Sequence, residues 1–201
     1  MSEINKETTK EKILRIAAKM FAERGFDRVT VREIAKDVGI GSGSLFHHFD
    51  SKDEIFRALC NFYSEQRLNV YPDLDELLKL AETDPPHEVL MKAEFHFEDD
   101  VREILDQILI TASRRICYND ENANFIKEDI FGSIKNTLKP LLERMVELGK
   151  IKPFDVETFV RVTSYYCFSA AALNNSPFKQ GVAEYQAGMA FLFSMIVPIG
   201  D

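Results

Sequence analysis

Residues 38–49 read VGIGSGSLFHHF: three glycines and two serines fall within six positions, and Leu45, Phe46, His47, His48 and Phe49 follow at once. Backbone freedom beside a cluster of rings suits two devices, a loop that cradles a nucleotide phosphate or a tight turn that presents a short helix. A dinucleotide cradle follows a strand and opens the helix of a βαβ unit, and a P-loop ends in Gly-Lys-Ser/Thr. Here a short helical pattern comes first, with Thr30 and Glu33 spaced as a capping box and Ile34, Ala35 and Val38 on one face. No strand pattern precedes the glycines and no Lys-Ser/Thr follows them. The turn reading places every residue. Gly39 takes φ > 0 and stops the helix, and Ile40 folds back on its last turn. Gly41 and Ser42 start a second helix, which the Ser42 side chain can cap. Leu45 and Phe49, four apart, pack inward, so Ser42, Gly43, Ser44, Phe46 and His47 face outward.

Upstream, Ile13, Ile16, Ala17, Met20 and Phe21 form another helical stripe, opened by the Thr8/Glu11 capping box and closed by Gly25. Downstream, Ser51 and Glu54 open a helix that continues through Ile55, Phe56, Leu59 and Phe62 to about residue 70. Beyond it prolines punctuate longer stripes: Val101, Ile104, Leu105 and Ile108; Ile130 through Leu148; Val156 through Ala171; and the apolar run at residues 187–197, which suits a buried helix. The expected fold is all-α. A three-helix head at residues 1–50 leads, through a connecting helix that begins near residue 51, into a larger helical body at residues 51–201.

The net charge of −8 is unevenly spread, because residues 1–60 hold 11 Lys+Arg against 10 Asp+Glu and the rest is strongly acidic. A near-neutral head is compatible with a polyanion partner, since binding needs only a local basic face. Cys60, Cys117 and Cys167 have no CxxC spacing, which argues against a disulfide framework and a zinc site, although Arg114 and Arg115 could favour a thiolate at Cys117. With no signal-peptide pattern and no run long enough to span a bilayer, a cytoplasmic protein is expected.

The longer stretch TVREIAKDVGIGSGSLFHHFDSKDEIFRAL, residues 30–59, resembles the helix-turn-helix of the TetR family of bacterial transcriptional repressors, and with the first helix the resemblance covers about the first 60 residues. The body matches that family only in size and helical pattern. The resemblance implies a homodimer that binds double-stranded operator DNA and answers to a small-molecule effector, with no cofactor. It implies that Thr30 and Lys52 hold phosphates, that Ser42, Gly43, Ser44, Phe46, His47 and His48 lie on or beside the groove, and that Arg32 reaches a base or a phosphate. Helix N-termini suit anions for independent reasons of dipole and free N–H groups. Two departures stand out, Gly41 where the family often has Ser and Phe46 where it usually has Tyr, so two hydroxyls are missing.

In the body, His96, Asp100 and Glu103 share a helix face, yet no second helix offers matching ligands and a solvated acidic face is expected instead of a metal site. No catalytic constellation is apparent. An apolar pocket for a lipophilic effector is placed at Phe62, Ile108, Thr111, Phe131, Tyr165 and Tyr166. Dimerisation is placed on the last two long helices, through Ala170–Ala172 and residues 187–197. Two other functions remain open: a DNA binder controlled by a protein partner, and a helical enzyme.

Overall fold

The computed structural model describes residues 7–70, 73–93, 99–116, 118, 120–173 and 178–196, and gives the backbone alone at 68–70, 99–100, 170–173 and 178–185. Its elements are helices throughout: α1 (Thr9–Arg24), a single 3-10 turn (Phe26–Arg28), α2 (Val31–Val38), α3 (Ser42–Phe46), α4 (Lys52–Val70), α5 (Leu74–Thr83), α6 (Pro86–Lys92), α7 (Asp99–Ile116), α8 (Glu121–Glu147), α9 (Val156–Leu173) and α10 (Phe178–Ser194). Two compact units form, Met1–Glu65 with Asp99–Ile126 and Gln66–Glu98 with Lys127–Asp201, so α4 and α8 each contribute to both. Among the described residues no helix is long and apolar enough to cross a membrane.

In the first unit α1 packs on α2 and on α7, and of the stripe that periodicity selects Ile13, Ala17, Met20 and Phe21 are buried while Ile16 is half-buried. Phe21, Ile34, Leu45, Ile55, Phe56 and Leu59 complete a core in which each large side chain contributes about 1.5–3 kcal/mol by leaving water. The Phe26 ring joins Phe21 to Phe56, at centroid separations of 4.9 and 5.6 Å. The expected capping boxes at Thr8 and Thr30 are formed, whereas the third, at Ser51 and Glu54, is half-formed: Ser51 Oγ accepts from Glu54 N at 3.0 Å, but the Glu54 carboxylate accepts from Asp50 N at 2.5 Å.

In the second unit Ile130, Ile134, Leu138, Leu141, Leu142 and Met145 line the buried face of α8, which Gly149 (φ 68) terminates. Arg144 pairs with Glu82 at 2.8 Å, Lys150 Nζ donates to Asp84 O at 2.9 Å, and the buried Arg67 donates to Asp129 Oδ2 at 3.2 Å. Gly188 on α10 is needed for packing, because an added Cβ would lie 1.8 Å from the Tyr166 hydroxyl oxygen of α9. The apolar run at 187–197 departs from the expected buried helix: Met189 and Ile196 are buried, whereas Phe191 is 66% exposed and Met195 62%. Among the described residues, Phe191 and Met195 leave part of this apolar run uncovered within one chain.

Candidate nucleic-acid interface

The interface is built from local signals. Thr30 is the N-cap of α2; its amide and hydroxyl donate to Glu33 Oε2 at 2.8 and 2.7 Å, and Glu33 N donates to Thr30 Oγ1 at 3.3 Å. Arg24 Nη2 donates to the other Glu33 oxygen at 2.5 Å. Arg24 and then the Thr30 bonds hold the Glu33 carboxyl down at about 2, so the box stays ionised at neutral pH. At the far end of α2, Gly39 is left-handed (φ 83, ψ 30), and the amides of Gly39 and Ile40 both donate to Ala35 O, at 3.0 and 2.9 Å.

One extended residue, Gly41, then leads into α3. The expected Ser42 cap does not form: Gly41 occupies the N-cap without a side-chain bond and Ser42 is the first helical residue, where its hydroxyl no longer faces the free amides of the first turn. Leu45 and Phe49 are buried as expected and anchor the short helix. Gly43, Ser44, Phe46, His47 and His48 are exposed, with Phe46 at 49%, and Ser42 is half-buried. Gly41 and Gly43 have negative or ordinary φ and nothing within 4 Å of an added Cβ, so nothing inside the chain requires glycine at either position. Their smallness clears space on the outer face of α3. Thr30 and Arg32 are exposed on α2.

Lys52 is less free than the sequence suggests. Its ammonium donates to Phe26 O at 2.8 Å and Val29 O at 3.0 Å and lies 4.3 Å from the Phe26 ring centroid, which leaves one N–H uncommitted among its three.

This helix-turn-helix matches the family model described as bacterial regulatory proteins, tetR family, over residues 13–59. Over that segment the chain is similar to TetR-family regulators. Among curated relatives, it is 47% identical over 62 residues to the HTH-type transcriptional repressor KstR2 of Mycobacterium tuberculosis, a match over 31% of each protein. It is 32% identical over 107 residues to the uncharacterized HTH-type transcriptional regulator YerO of Bacillus subtilis, covering 53% of this chain and 36% of that protein. The chain thus spans about a third of the length of the curated relatives it matches. Its fold is similar along nearly its whole length to the structure of the ketosteroid transcriptional regulator KstR2 of M. tuberculosis, with a TM-score of 0.69, 25% identity and 97% of each chain covered.

Beyond the TetR-like head, the six residues placed in a pocket divide between the units. Phe62, Ile108 and Thr111 belong to the first; Ile108 and Thr111 are buried, and the Thr111 hydroxyl donates to Gln107 O at 2.9 Å. Phe131, Tyr165 and Tyr166 belong to the second, where the Phe131 and Tyr165 rings meet edge to face at 5.0 Å and Tyr165 is exposed. A groove of about 670 Å3 in the first unit, floored by Ile16, Met20 and Ile104, includes none of the six. His96 and Cys117 lie outside the described residues, as do the side chains of Asp100 and Ala170–Ala172. Among the described residues no group of three or more His, Cys, Asp or Glu is placed to hold a metal ion.

Sequence reasoning missed Arg114 and Arg115 as structural ties of the head. Arg114 Nη1 donates to Ala22 O at 2.6 Å, near the end of α1. Arg115 stacks on Phe26 and donates to Asp53 and Asp120. Ala22 lies 92 residues upstream of Arg114 and Asp53 62 upstream of Arg115, with Phe26 also far before it, so no local pattern signals these partners. Burial first, and then Asp120, pushes the Cys60 thiol up to about 12, which makes it an inert core residue.

Proposed function

We propose that the chain is a DNA-binding transcriptional regulator, a homodimeric repressor that a lipophilic small molecule releases from its operator. The observation that carries the reading is the exposed row on α3, where two glycines with no internal role, Ser44, Phe46, His47 and His48 surround the buried anchors Leu45 and Phe49. A short helix with small residues on its outer face can enter a major groove closely, while Thr30, Arg32 and Lys52 hold the flanking phosphates. The functional boundary is placed near residue 50, with the body at 51–201 taking the effector through the aromatic residues named above. The protein is read as cytoplasmic.

The dimer reading rests on Phe191 of α10, Met195 just after it and Tyr165 of α9, large apolar side chains left open to water on the second unit. Two heads held together this way would read a near-palindromic site. The effector must bind the DNA-free arrangement better, since equal affinity for both states shifts nothing. Coupling of the usual size would weaken operator binding about 5- to 150-fold, and operator would weaken effector binding by the same factor.

The decisive experiment is a binding assay on the DNA upstream of the chain's own gene, with and without a panel of lipophilic metabolites, followed by calorimetry of any hit with and without the operator. Sequence-selective binding released by one compound is expected. No selectivity over random duplex would sink the regulator reading, and equal effector dissociation constants with and without operator would sink the coupling.

A further inference from the structure

We infer that Arg115, at the end of α7, is a positioning residue for the phosphate-facing edge of the head: it braces the ring that Lys52 rests on and cancels the carboxylates beside that lysine. The inference rests on the DNA-binding reading above. The Arg115 guanidinium lies 3.7 Å from the Phe26 centroid and 5.2 Å from that of Phe56. The Lys52 ammonium bears on the same Phe26 ring at 4.3 Å and donates to the carbonyls of Phe26, which opens the 3-10 turn, and of Val29, which follows it. One aromatic ring therefore sets the place of both cations. Thr30, which caps α2, follows directly on Val29, whose carbonyl Lys52 holds.

The carboxylates around Arg115 fall into two kinds. Asp120 is 12% exposed, binds the guanidinium closely through Oδ2, and uses Oδ1 to accept from Ala123 N at 3.0 Å at the start of α8. This near-buried pair satisfies the fold's need for the charge. Asp53, at 3.3 Å, and Asp27, at 3.9 Å, are well exposed, and exposed ion pairs contribute little to stability. Their effect is felt outside the molecule. Asp53 adjoins Lys52 in the first turn of α4, and Asp27 is in the 3-10 turn that Lys52 ties down. An uncompensated carboxylate at either position would stand within the ~8 Å screening length of a phosphate held by Lys52 and repel it. The Arg115 fork reaches both while remaining anchored on Asp120, an arrangement a point-charge lysine cannot reproduce.

The test uses the full-length chain and the operator that the wild type selects, with affinity measured against salt concentration and the melting temperature recorded for each variant. Arg115→Met is expected to weaken operator binding by about tenfold at ~0.1 M salt, the scale of one lost charge compensation close to a phosphate. Adding Asp53→Asn to Arg115→Met should recover most of that loss without restoring the melting temperature. A structural role alone would give an affinity loss that follows the melting temperature and no recovery, which would overturn the inference, as would unchanged affinity in Arg115→Met. Should Arg115→Met fail to fold, Asp53→Asn in the wild-type background decides: a change below about twofold fits a carboxylate already compensated, whereas a larger gain shows it was not and overturns the inference. If the wild-type chain selects no duplex, the DNA-binding reading itself falls; failure confined to the variants removes this inference alone.

Discussion

Asp106 is a partly buried carboxyl on α7 whose pKa burial pushes up from 3.8 to about 6, with Arg102 pulling weakly the other way. Because the folded value exceeds the unfolded one, the unfolded chain ionises first as pH rises. The protonated group is harmless below about pH 4; stability then falls between pH 4 and 6, and above that the full penalty remains. Asp106→Asn should therefore melt a few degrees higher than wild type at about pH 7.5 and equal to it at about pH 4; a constant difference across that range would contradict the assignment. Lys52 poses the opposite case, a cation with one role inside the head and another proposed outside it. Lys52→Ala should lower stability by about 1–2 kcal/mol through the two lost carbonyl bonds and reduce the slope of log K against log salt by about one unit. A fall in stability with an unchanged slope would leave Lys52 a purely internal staple. Thr30 and Gly39 were readable from the sequence because their partners lie within a few residues. The carbonyls that hold Lys52 stand 23 and 26 positions away, and no local pattern reports them.

At the scale of elements, the turn between α2 and α3 depends on Gly39 at φ 83, a conformation L side chains rarely adopt, although nothing crowds a Cβ there. Gly39→Ala should cost about 1 kcal/mol in urea unfolding from backbone strain alone. A neutral substitution would mean that the turn relaxes to another form. The helices themselves were legible wherever a stripe ran for two turns or more, as in α1, α4 and α8. The five-residue α3 is too short for its pattern to fix a start, so the sequence offers the Ser42 hydroxyl a capping place that Gly41 fills by backbone alone. The apolar run in α10 had the opposite ambiguity: a helix hydrophobic all round does not say which face its own chain covers. Phe62, Ile108 and Thr111 also fall into one compact unit and Phe131, Tyr165 and Tyr166 into the other, a division that periodicity along single helices does not contain.

At the scale of the whole molecule, the open face of α10 carries the assembly prediction. Phe191→Glu should shift the chain from dimer toward monomer in light scattering and lower operator affinity with it; a wild-type monomer at micromolar concentration would end the dimer reading. The packing of α7 on α1, with Arg114 and Arg115 reaching the end of α1, the 3-10 turn and the start of α4, has a practical consequence for anyone rewiring gene circuits. A chimera that joined residues 1–50 to the body of another regulator would leave Ala22 and Phe26 facing a stranger's helix and lose Asp53 altogether. The reading module is not a detachable cassette, and a transplant that keeps its sequence preference must carry residues 99–126 along with it.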